Sequence, residues 1–189
     1  MIGNIEGIIS EYFAKECKIL ESISTTEVAK LAYQIEAIRV SNATVFVAGN
    51  GGSASTASHF ATDIGVGSLR RANPVRVISL CDNSAVMTAL ANDLDYSAIF
   101  EQQLRLLAKP GDLVIIISAS GNSINLLKLQ ECASELGVTP FSMTGFSGGK
   151  LRELTLGSNI HVQTPEGAYG MVEDIHLAIC HVITECVRT

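Results

Sequence analysis

Twice in this chain a short, uninterrupted apolar run breaks into a turn of small residues and then into a helical pattern. Val45-Phe46-Val47-Ala48 gives way to Gly49-Asn50-Gly51-Gly52-Ser53, and Leu113–Ile117 to Ser118-Ala119-Ser120-Gly121-Asn122-Ser123. Short runs that are apolar at every position read as strands buried on both faces. The turns that follow set backbone N–H groups and hydroxyls at a helix N-terminus, where an anion is held. Ligands of open parallel sheets bind at that carboxyl edge. Phosphate suits such a loop because it accepts several hydrogen bonds at once. An N-cap turn with spare serines would explain one of these loops; two on neighbouring strands favour a ligand. Gly49, Gly51 and Ala54 also fit the relaxed dinucleotide fingerprint, which wants an acidic residue about 20 residues further on. The nearest candidate, Asp82, stands well beyond that distance, so this match is weak.

The rest of the chain repeats the alternation. Strand-like runs occur at Val45–Ala48, Val75–Leu80, Leu113–Ser118, Thr139–Thr144 and Ile160–Gln163. Helical patterns lie near 53–66, 97–108, 122–137 and 147–155, and Met171–Val187 closes the chain with a stripe of Met171, Ile175, Ile179, Val182 and Ile183. Strands alternating with helices imply right-handed crossovers and a parallel sheet, hence one three-layer α/β domain over residues 1–189. Residues 1–40 stand outside this pattern. Ile5, Ile8, Ile9, Tyr12, Phe13, Leu20 and Ile23 recur at helical spacing. Ser24 and Glu27 have capping-box spacing, so a second helix with Val28, Leu31, Ile35 and Ile38 begins there. An amphipathic helix outside the α/β pattern needs an apolar cover, from its own domain or from another subunit.

Composition narrows the function classes. The 189 residues suffice for one domain with a full core. A mean hydropathy of +0.32 argues against disorder. No apolar run approaches the ~20 residues that span a bilayer, and Met1–Ser10 lacks the basic start of a signal peptide. Five scattered cysteines with no CxxC read as reduced thiols of a cytoplasmic protein. A net charge of −6 argues against nucleic acid but not against a small anion held by N–H groups.

Two helices carry candidate acid/base or metal chemistry. His59 and Asp63 are four residues apart and share a helix face. On the last helix Glu173, His176, Cys180 and His181 are candidates, and Glu173 and His181 both lean toward one cleft. A His, Asp, Glu, His set suits tetrahedral zinc with ligands at ~2.0–2.2 Å. Either pair alone is more commonly a cap, a surface pair or a solvated group. His161 reads as structural, Cys180 as a small core residue. Arg70 and Arg71 are solvated loop charges or reach a phosphate in a neighbouring subunit.

GNGGS at 49–53, HFATD at 59–63, AND at 91–93, SASGNS at 118–123, TG at 144–145 with GG at 148–149, and VEDIH through His181 form a specific combination. Over nearly its whole length the chain resembles the sugar isomerase (SIS) domain proteins, and among them the sedoheptulose 7-phosphate isomerases, or phosphoheptose isomerases. The resemblance implies a three-layer α-β-α sandwich on a five-stranded parallel sheet, with a helical N-terminal extension. It implies a homotetramer with active sites between subunits, to which residues 1–40 contribute. It also implies a reaction: sedoheptulose 7-phosphate to D-glycero-D-manno-heptose 7-phosphate through an enediol(ate), for heptose-containing polysaccharide. Asn50, Gly51, Gly52, Ser53, Asp93, Ser118, Ala119, Ser120, Ser123 and Glu173 would bind the substrate. His59, Asp63, Glu173 and His181 would surround one Zn²⁺ per subunit, with Asp63, His181 and Glu173 as catalytic groups.

Three positions depart from the family pattern, which carries Glu for Asp63, Gln for Glu173 and Thr for Ala119. The extra carboxylate of Glu173 either shares the base role or makes the zinc site more anionic. Two other functions fit the fold: a non-catalytic relative that binds the bacterial replication initiator, and a sugar-phosphate sensor. The retained donor set favours the enzyme, and the chain has no room for a sensor's DNA-binding domain.

Overall fold

The computed structural model describes residues 4–188. The first three residues of the N-terminal segment and Thr189 lie outside that range. Five strands, β1 (Thr44–Gly49), β2 (Arg76–Ser79), β3 (Leu113–Ser118), β4 (Thr139–Gly145) and β5 (Asn159–Val162), form one sheet in the order β2-β1-β3-β4-β5. Every neighbouring pair is parallel. Between and around them run α1 (Ile5–Ser22), α2 (Thr25–Ser41), α3 (Gly52–Gly67), α4 (Ser84–Asp93), a 3₁₀ turn over Tyr96–Ala98, α5 (Ile99–Leu107), α6 (Ile124–Glu135), α7 (Gly149–Leu154) and α8 (Tyr169–Arg188).

The central strands β1 and β3 are buried at every position, as their continuous apolar runs require. Alternate side chains point into opposite layers. Val45, Val47, Ile115 and Ile117 pack with Ile35, Phe60, Ile64, Ile175 and Ile179 of α2, α3 and α8. Phe46, Ala48, Val114 and Ile116 pack with Phe100, Leu104, Leu126 and Leu129 of α5 and α6. After β1 the chain steps outward to β2, then returns across β1 to β3 and continues the other way. Strand order therefore reverses between β1 and β3, the place where doubly wound sheets bind ligands. The register pairs Val45 with Leu113 and Gly49 with Ile117, so both glycine-serine loops leave the sheet side by side.

The break between α1 and α2 falls where the sequence places it: the Ser24 hydroxyl accepts from the Glu27 N–H at 3.3 Å. α2 buries the predicted face of Val28, Leu31, Ile35 and Ile38. α1 differs. It buries no residue fully, and Ile5, Ile8, Ile9, Phe13 and Leu20 stay exposed. Tyr12 anchors α1 to α8 by donating to Asp174 at 2.7 Å; that bond pushes the phenol up to about 12. The domain thus leaves most of the α1 stripe uncovered.

One element has no counterpart in the sequence reading. α4, capped by Asn83, buries no residue fully: Met87, Leu90 and Ala91 lie half-buried against the core, a stripe too short to stand out in the sequence. The helical pattern at 97–108 resolves into the 3₁₀ turn and α5.

Candidate active site

The first loop turns at Gly51, whose φ is +54°, and α3 begins at Gly52 with no side-chain cap. The second loop ends at Ser123, the N-cap of α6, whose hydroxyl likewise makes no capping bond. Ser118 Oγ accepts from the Gly121 N–H at 3.1 Å and Ser120 Oγ from the Asn122 N–H at 3.3 Å. Each hydroxyl keeps its own proton, so the serines act as donors toward a ligand. Between the loops is a small cavity of about 110 Å³. Asn50, Ser53, Ser118, Ala119, Ser120, Ser123 and Glu173 line it, with Tyr169 at its edge. No lysine or arginine lines it; the positive ends of α3 and α6 and the hydroxyls supply the anion-binding groups.

The loop after β4 supports this cavity from behind. Leu151 N–H donates to Gly121 O at 2.9 Å, and Asn122 Oδ1 accepts from the Lys150 N–H at 3.0 Å at the start of α7. Gly121, at φ +65°, lies against the backbone carbonyl of Gly148 with no space for a Cβ. Phe146 is buried and meets Tyr169 edge-on, with ring centroids 5.0 Å apart. Sequence reading picked out the glycines of this segment but not their backbone contact with the serine loop.

Beside the cavity α3 and α8 run parallel, in contact at three levels. Glu173 lies over Gly52, His181 meets His59 and Asp63, and Arg188 meets Gly67. The middle level brings together the two helices that the sequence reading paired. His59 Nε2 and Asp63 Oδ2 are 3.3 Å apart, His59 Nε2 and His181 Nε2 are 3.3 Å apart, and His181 Nε2 and Asp63 Oδ2 are 3.6 Å apart. A tetrahedron with ligands at ~2.0–2.2 Å has edges of ~3.3–3.6 Å. The three atoms therefore form one face of a zinc-sized tetrahedron. Three protein donors are the number that catalytic zinc sites use. The residues fit the metal.

Glu173 is not brought to this triangle. Eight residues along α8 separate it from His181, about 12 Å of helical rise, and its carboxylate sits at the serine cavity instead. Gly52 matters for this placement, since a Cβ there would displace the carboxylate. Asp93 ends α4, is exposed, and accepts from Asn92 at 2.9 Å without lining the cavity. Gly51 is exposed at the turn, and Gly52 lies under Glu173.

Other candidates have structural positions. His176 is fully buried and donates to Thr144 O at 3.3 Å; burial lowers it to about 4, so it is neutral at pH 7. Cys180 is buried in the core, and burial together with the nearby Asp63 charge pushes its thiol up. His161 bridges Thr144 and Gln163, both at 3.1 Å. Arg71 donates to the Val187 carbonyl at 2.8 Å and pairs with Glu36 at 3.0 Å. It fastens the end of α8 to α2, which corrects the expectation of a solvated loop charge. Among the described residues, no helix is long and apolar enough to cross a membrane.

Comparison with known proteins agrees with this fold. The family model for the SIS domain matches residues 11–145. A phosphoheptose isomerase of Mycobacterium tuberculosis is 37% identical over 184 residues, covering 97% of this chain and 92% of that protein. One from Laribacter hongkongensis is 29% identical, covering 99% and 95%. The solved structure of a phosphoheptose isomerase from Francisella tularensis superposes with a TM-score of 0.88 at 25% identity, covering 97% of this chain and 98% of that one. The chain belongs to the SIS domain family and, within it, to the phosphoheptose isomerases, a family of sugar-phosphate isomerase enzymes.

Proposed function

We propose that this chain converts sedoheptulose 7-phosphate to D-glycero-D-manno-heptose 7-phosphate through an enediol(ate), with zinc held by His59, Asp63 and His181. The single observation that carries this reading is the placement of an anion cavity and a zinc-sized donor triangle on the same pair of parallel helices. From Ser53 at the cavity to His59 is six residues, about 9 Å along α3. That distance leaves several carbon atoms between a bound phosphate and a reacting carbonyl, as a long sugar phosphate requires.

Ser53, Ser118, Ser120 and Ser123 hold the phosphate and so fix the chain's direction along the groove between α3 and α8. Moving the carbonyl from C2 to C1 takes a proton from C1 and returns one at C2. Asp63 and His181, side by side at the donor triangle, are placed for both transfers at these adjacent carbons, while Glu173 lies at the phosphate end of the groove. Such transfers typically contribute about 10²–10⁴-fold each. Zinc, when bound, supplies Lewis-acid polarisation of the substrate carbonyl. The intact donor triangle weighs against the non-catalytic initiator-binding reading, which has no use for it.

Conversion of sedoheptulose 7-phosphate followed by NMR, before and after chelation and zinc re-addition, tests the assignment. The expected result is aldose heptose phosphate formed only with metal. Zinc retained without conversion would sink the substrate, and neither zinc nor conversion would sink the enzyme.

The oligomer belongs to the same proposal. The exposed stripe of α1 and the openness of the donor triangle support a homotetramer whose subunits close each other's sites. Ile8→Asp and Phe13→Asp each place a charge in that stripe. Light scattering is expected to show a species smaller than a tetramer for both. A tetramer unchanged in mass would remove α1 from the interface.

A further inference from the structure

The Asn50 side chain is gripped by two residues that bear none of the roles above. Its Oδ1 accepts from Asn125 Nδ2 at 2.8 Å and from the Tyr96 hydroxyl at 3.1 Å. Its Nδ2 donates to Asn125 Oδ1 at 2.9 Å. An amide oxygen has two lone pairs and an amide nitrogen two protons. The oxygen of Asn50 is therefore saturated, whereas one N–H is uncommitted among the described residues. Asn50 lines the serine cavity, so that N–H is what it has to offer a ligand.

Both grips are themselves fixed. Asn125 is only 3% exposed, on the first turn of α6 directly behind Ser123, so it cannot turn to water instead. Tyr96 comes from the 3₁₀ turn that follows α4. Asp95 caps that turn through the Ser97 N–H at 2.8 Å, and Lys128 of α6 donates to Ser97 Oγ at 2.6 Å. The amide of Asn50 thus joins three elements that are remote in sequence: the loop after β1, the start of α6 and the connection between α4 and α5.

We propose that Asn125 and Tyr96 are positioning residues that lock the Asn50 amide so that it presents N–H, and not its carbonyl, to an oxygen of the bound sugar phosphate. The proposal rests on the sugar-phosphate reading of the cavity. A locked donor favours a ligand atom that accepts, such as a carbonyl, hydroxyl or phosphate oxygen. An amide free to turn would present its own oxygen part of the time and repel the same atom.

The test is a double-mutant cycle between Tyr96→Phe and Asn50→Ala in the zinc-loaded enzyme, with kcat and KM measured separately. Tyr96 is exposed, so removing its hydroxyl leaves the core intact. Tyr96→Phe is expected to raise KM about 3–10-fold, the value of one hydrogen bond, with kcat within about twofold. In the Asn50→Ala background the same change is expected to cost nothing. An equal cost in both backgrounds, or none in either, overturns the proposal. The ¹⁵N side-chain amide signals of Asn50 give a readout independent of turnover. They are expected to shift in Tyr96→Phe and on adding sedoheptulose 7-phosphate. If the wild type turns nothing over but these signals respond to both, the isomerase assignment falls and the positioning role stands. If they respond to neither, or to only one, the positioning role falls.

Discussion

Asp63→Asn is expected to fold normally, to lose its zinc, and to lose about 10²–10⁴-fold in kcat. The side chain is isosteric and partly exposed, so its cost to stability is small. Its Oδ2 lies 3.3 Å from one imidazole Nε2 and 3.6 Å from the other, the sole anionic corner of the triangle. An amide oxygen at that corner carries no charge to offset a divalent cation, and two imidazoles alone hold it poorly. Steady-state kinetics, metal stoichiometry and circular dichroism on one preparation separate the possible outcomes. Full zinc occupancy with lost turnover would make Asp63 a proton carrier rather than a ligand. Full turnover would remove it from the chemistry altogether.

Gly121→Ala is expected to be the most damaging single methyl group in the molecule. At φ +65° an L-residue carries left-handed strain of about 1 kcal/mol, and the new Cβ would occupy the space of the Gly148 carbonyl. That obstacle is backbone, held by the Leu151 N–H to Gly121 O bond, so no side chain can swing away to relieve it. The combined cost is about 2–4 kcal/mol, or a fall in melting temperature of roughly 5–15 °C. Gly157→Ala is the matching control. It has a similar positive φ but nothing within 4 Å of the new atom, so only the strain remains. Scanning calorimetry of the two variants checks the difference. Equal shifts would mean that the loop after β4 gives way, and that the serine loop does not depend on it.

β1 and β3 were legible because parallel strands between two helical layers must be apolar on both faces; the edge strand β2, exposed at Arg76 and Ile78, showed only as a short apolar run. The Ser24 cap was legible because its spacing to Glu27 has a single geometric use. α4 was not, since its half-buried contacts with the core, Met87, Leu90 and Ala91, span barely one turn. His59 and Asp63 share a face because helical periodicity fixes angle about an axis, and the packing of α8 on α3 sets His181 beside them. Glu173 was grouped with them on angle alone, and angle says nothing of the axial distance that sets it at the serine cavity. Asn125 and Tyr96 could not be found from sequence, because the amide they hold is a meeting of three distant segments.

The parallel course of α3 and α8 makes substrate length a quantised property. Ser53 of the cavity and His59 and Asp63 of the donor triangle are rungs on one helix, so their separation is counted in residues. Adding one residue between Ser53 and His59 would move the donors by ~1.5 Å and swing them about 100° off the groove. Only insertions near a whole turn restore the face, and each lengthens the span by about 5.4 Å. Fine adjustment to a different sugar is then left to side-chain length, where a carboxylate one methylene longer or shorter at position 63 or 173 is the smallest step available.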